Sequence, residues 1–142
     1  MTAARLLLAA ALNLPWCAAP CVQAQPAPPA TQEITVDRSQ LLLVMPSEQF
    51  QSPALLTQWA QRSARIVANY YGQFPVAEVR IVVIPVAGAR VTGGTTFGRP
   101  GAVIRVRVGT AVDAAALLND WVLVHEMTHL ALPDIGEDHA WL

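Results

Sequence analysis

The chain has 142 residues, enough for one domain. Charged residues make up 13% of it, about half the usual globular share, with no Lys and a formal net charge of −1. No basic stripe is available, which argues against nucleic acid as a partner.

Residues 1–24 read as a secretory signal peptide. Arg5 supplies a short basic start, Leu6 to Leu12 an apolar stretch, and Val22-Gln23-Ala24 the small residues of a cleavage site, with cleavage expected after Ala24. The apolar stretch is too short to span a bilayer, and Asn13 and Pro15 interrupt it. A secreted or periplasmic location follows, with no transmembrane span after cleavage; an uncleaved anchor is the alternative. Cys17 and Cys21, the two cysteines, both fall in this segment, and the Pro15-Trp16 and Ala19-Pro20 pairs before them argue against a lipid anchor. Cleavage leaves no cysteine, so disulfides, a thiolate nucleophile and a Cys metal site are all excluded. It also leaves eight Arg against ten acids.

Residues 25–33 form a Pro-rich spacer expected to be extended or disordered, before a single domain over 34–142. Ile34 to Val36 and Leu41 to Met45 read as strands around an Asp37-Arg38-Ser39 turn. Ser52-Pro53 opens a helix, and Gly72 closes it. Within it Leu55, Leu56, Trp59, Ile66, Val67 and Tyr70 recur at helical spacing, with Trp59 and Tyr70 assigned to the core. Val79 to Ile84 is a buried strand ended by Pro85. Gly88 to Gly101 is expected to be a loop; its glycines match no phosphate-binding pattern. Val103 to Val108 alternates strictly, as a half-exposed strand expected at an edge, with Arg105 and Arg107 on a solvated face.

One further helix is expected, capped by Asp113 or Thr110, running through Ala114 to Leu118 and stopped by Pro133. It carries His125-Glu126-Met127-Thr128-His129, which reads H-E-x-x-H. With three His and five Glu in the chain, a shuffled order produces this motif with a probability of roughly 0.2%, so chance is a poor account of it. Positions four apart share a helix face, so both imidazoles reach one metal ion. Two neutral His ligands suit Zn²⁺, and Glu126 beside them can take a proton from an activated water. His125 and His129 are thus the candidate metal ligands and Glu126 the candidate general base. The bland alternative is a helix with two surface or core histidines and an incidental Glu. Set among Val, Leu and Trp, the three side chains are expected to be partly buried, and a metal would satisfy them. The order of strands and helices gives an α+β class, a mixed sheet packed on helices.

Gly93 to Gly98, the alternating strand to Val108 and Asp120 to His129 together resemble the gluzincin branch of the zincin metallopeptidases, in particular small secreted bacterial peptidase MA-like domains. The resemblance spans roughly residues 34–142 and implies a zincin-like fold with the H-E-x-x-H segment on its active-site helix. It also implies zinc-dependent hydrolysis of a peptide or protein substrate, with Val103 to Val108 bordering the cleft and pairing with substrate backbone. The third zinc ligand of that family is a Glu on the following helix, expected here beyond Leu142, so the 142 residues alone are expected to be inactive. Nearer candidates are Asp134, Glu137, Asp138 and His139; the acids read as a solvated turn, and His139 lies ten residues past His129. The metzincin pattern is excluded, because Leu132 and Ile135 stand where it needs Gly and His. An alternative from another class is a non-catalytic exported domain that binds metal or a protein partner.

Overall fold

The computed structural model describes residues 28–132. The signal segment, Pro133 and the acidic candidates after it lie outside those residues. Strand β1 (Ala30–Val36) pairs antiparallel with β2 (Ser39–Met45), from Ala30↔Met45 to Val36↔Ser39. Residues 30–33 of the expected spacer are therefore strand, because their backbone groups find ladder partners on β2. Asp37 turns the hairpin at φ 53°, a left-handed conformation that Asp tolerates better than most residues.

Helix α1 (Pro53–Tyr71) starts on Pro at its first turn and ends on Gly72 at φ 82°, as expected, though Ser52 makes no side-chain cap bond. Its buried stripe includes Leu56, Trp59, Ala60, Ala64, Val67 and Ala68. Trp59 is in the core; Tyr70, assigned there from its spacing, is 82% exposed. It sits in the last turn, beyond the packed stretch, with its ring edge-on to Tyr71 at 4.9 Å.

Three further strands follow: β3 (Glu78–Val86), β4 (Val91–Phe97) and β5 (Val103–Gly109). The sheet order is β1-β2-β3-β5-β4, with β2, β3 and β5 parallel and the two outer strands antiparallel. Three expectations are corrected here. The Gly88–Gly101 stretch is not all loop but holds β4. Strand β5 is not an edge: it lies between β3 and β4, and β4 is the edge. Glycines at 93 and 94 carry no side chain, so β4 shows no period-two signal in the sequence. Strand β3 also continues through Pro85, which pairs with Val108.

The sheet buries one face. Ile34, Leu41, Leu43, Val79, Ile81, Ile104 and Val106 point inward, at 0–4% exposure, against α1 and the motif helix. Arg80, Arg105 and Arg107 emerge on the other face, with the Arg105 guanidinium 5.2 Å from the Phe97 ring centroid. The solvated reading of Arg105 and Arg107 holds. The result is an α+β fold, a five-strand mixed sheet packed against two helices.

The single helix expected after Asp113 is two: α2 (Ala114–Leu118) and α3 (Val122–His129). Asp113 caps α2, its Oδ1 accepting from the Ala116 N–H at 2.8 Å. Asp120 interrupts and restarts the helix. Its Oδ1 accepts from the Val122 N–H at 3.2 Å, and its Oδ2 accepts from the Leu123 N–H at 3.3 Å and the Trp59 Nε1–H at 3.0 Å. A short acid that satisfies free backbone donors begins a helix better than it continues one. Among the described residues no helix is long and apolar enough to cross a membrane.

Candidate active site

Helix α3 packs its Leu123 and Met127 into the core, both at 0% exposure. That sets the rotation of the whole motif. Glu126, adjacent to Met127, is carried inward to 7% exposure, while His125 and His129 stay exposed. The shared burial expected for the three side chains is therefore corrected: the carboxylate is buried and the imidazoles are not. An eight-residue helix against a one-sided core buries a narrow stripe, and the histidines lie just outside it.

The two imidazoles converge. His125 Nε2 and His129 Nε2 lie 3.2 Å apart, and their rings meet edge-on at 4.8 Å. Two ligands each 2.0–2.1 Å from a tetrahedral ion lie about 3.3 Å apart, so the pair fits zinc with little adjustment. The same distance also suits an N–H···N hydrogen bond between neutral rings. Trp121, one turn earlier, sets its ring edge-on to His125 at 5.3 Å. Helix α3 offers two imidazole nitrogens, and among the described residues no His, Cys, Asp or Glu joins them to make a group of three.

Glu126 meets the edge strand. Thr96 Oγ1 lies 2.7 Å from Glu126 Oε2 and 2.8 Å from the Glu126 backbone carbonyl oxygen, so its one proton serves either acceptor or both. A Cβ built on Gly94 would stand 2.5 Å from Glu126 Cγ and 2.9 Å from its Oε1. Gly94 and Thr96 pair with Val106 and Ile104, whose side chains are buried, so both face α3. Beside them opens a cavity of about 670 Å³ whose lining includes Gly94, Thr96, Glu126, His129 and Leu132. One wall is thus edge strand, and another is motif helix.

His125, Glu126 and His129 are legible from spacing alone. Thr96 as a partner of Glu126, 30 residues away, is not, and neither is Asp120 as the restart of the helix. Alternating Gly-x-Thr positions on one strand face are the only local trace. Compared with known protein families and with curated proteins, the chain matches none.

Proposed function

We propose that this chain carries the H-E-x-x-H helix of a gluzincin-type zinc metallopeptidase with a zincin-like fold, exported to the periplasm or beyond. One observation carries the reading: two Nε2 atoms 3.2 Å apart on one helix face, with the intervening Glu126 lining the same cavity as His129. His125 and His129 would hold the ion. Zinc, when bound, supplies a water of pKa about 7 and polarises a carbonyl. Glu126 accepts the proton of the attacking water and passes it to the departing amine. Water is thereby divided across the amide bond, hydroxyl to the acyl carbon and proton to nitrogen. The substrate class rests on β4. Among the described residues its outer edge has no strand partner, and it borders the cavity, a template on which an extended peptide adds as a strand. That role, expected of Val103 to Val108, belongs to β4, because β5 is covered on both sides.

The second reading, metal binding without turnover, is favoured by the two-nitrogen ligand set of the described residues. A single comparison separates the two. Zinc stoichiometry and cleavage of fluorescently labelled casein are measured for the wild type and Glu126→Gln, each at the full length its own cells produce, so that any third ligand past Leu142 is present. The peptidase reading expects one zinc in both proteins and a rate about 10²–10⁴-fold lower in the variant. Equal cleavage by both removes Glu126 as base, and zinc without cleavage in either supports the second reading.

A further inference from the structure

The motif names three residues, but the carboxylate among them is gripped from outside the motif. A Glu side chain on a helix has three torsions, and a proton acceptor works only while its oxygen stays in place. Here that freedom is removed from two directions. Thr96 Oγ1 holds the Oε2 side at 2.7 Å, and the Gly94 backbone lies so close that any Cβ there would occupy the space of Cγ and Oε1. The same hydroxyl reaches the Glu126 carbonyl oxygen, so strand and helix are tied at the backbone as well.

We infer that Gly94 and Thr96 are positioning residues for Glu126. Thr96 anchors Oε2, Gly94 leaves room for the side chain, and Oε1 is the oxygen that receives the proton. Because both residues belong to the edge strand, whatever pairs with β4 is set in register with Glu126 through the same two contacts. This assignment of roles rests on the peptidase reading; the contacts themselves do not. The bland account is a buried carboxylate finding a donor, with no consequence for chemistry. It differs in what Thr96→Val and Thr96→Ser do. Valine keeps the shape and removes the hydroxyl; serine keeps the hydroxyl.

The test uses the protein at the full length its own cells produce, labelled with ¹³C-glutamate and observed by NMR, with Glu126→Gln identifying the Glu126 carboxyl resonance. Zinc stoichiometry and casein cleavage are measured on the same samples. Thr96→Val is expected to move the Glu126 resonance and lower kcat by about 10- to 100-fold at unchanged zinc content. Thr96→Ser is expected to hold the resonance and restore the rate to within a few-fold of wild type. Gly94→Ala, which displaces the carboxylate without touching its donor, is expected to lower the rate as Thr96→Val does. It keeps the test alive if the valine variant does not fold. A Glu126 resonance indifferent to Thr96→Val overturns the anchor. A moved resonance with an unchanged cleavage rate overturns the catalytic role and leaves the bland account. A resonance moved by Thr96→Val, beside a wild type that binds zinc and cleaves nothing, overturns the peptidase reading, and the role assignment falls with it.

Discussion

Glu126 and its two histidine neighbours occupy different environments, although one turn of helix holds all three. The carboxylate is 7% exposed and bonded to Thr96, whereas the imidazole nitrogens meet each other at the surface. A carboxylate removed from bulk water is less free to swing, and exposed imidazoles remain open to an ion from solution. His129→Ala should therefore lower zinc affinity by more than about 100-fold, since even outer-shell partners of a metal ligand are worth 10–100-fold. Isothermal titration with zinc chloride checks this, and wild-type affinity in the variant would remove His129 from the site. Much of the site is legible in the sequence at this scale. Helical spacing alone brings residues 125 and 129 to one face, while the Thr96 contact depends on how a strand 30 residues earlier is laid against the helix.

Short elements in this chain are placed by single polar residues. Asp120 lies between α2 and α3, where its carboxylate accepts the first two N–H groups of α3 and the Trp59 indole N–H from α1. Asp120→Ala should destabilise the fold by about 1–2 kcal/mol, read as a lower midpoint in urea. An unchanged midpoint would make the Asp120 bonds incidental. Gly109 marks a different constraint. A Cβ there would run into the Gly88 backbone, where Ala111 N–H also bonds the Gly88 carbonyl at 2.9 Å. Backbone does not step aside as a side chain does, so Gly109→Ala should cost about 1–3 kcal/mol in the same assay. The apolar, β-branched runs of β3 and β5 declare themselves in the sequence. Strand β4 does not, because its Gly and Thr residues carry little of the hydrophobic alternation that reveals a half-buried strand.

On the scale of the whole molecule, a single apolar layer between sheet and helices carries the fold. Leu43 sits in that layer on a central strand at 0% exposure, so Leu43→Ala should destabilise by about 2–5 kcal/mol. Arg105→Gln, on the open face, loses only a surface contact over Phe97 and should cost no more than about 1 kcal/mol. Differential scanning calorimetry of both variants tests the one-sidedness: comparable losses would mean that the arginine face is also covered. Zinc offers a further check at this scale. A ligand bound only by the native state raises the melting temperature, so EDTA should lower it in wild type and leave His129→Ala unaffected.

Chain order, composition and period determined much of this protein by themselves. Helical spacing of Leu and Trp marked α1, β-branched runs marked β3 and β5, and the H-E-x-x-H spacing marked a candidate metal-binding face. Each is a local property, written within a few residues of itself. Strand order, the break at Asp120, the exposure of Tyr70 and the grip of Gly94 and Thr96 on Glu126 were decided by the tertiary structure. These depend on which distant backbone groups find each other and which faces the core has room to cover.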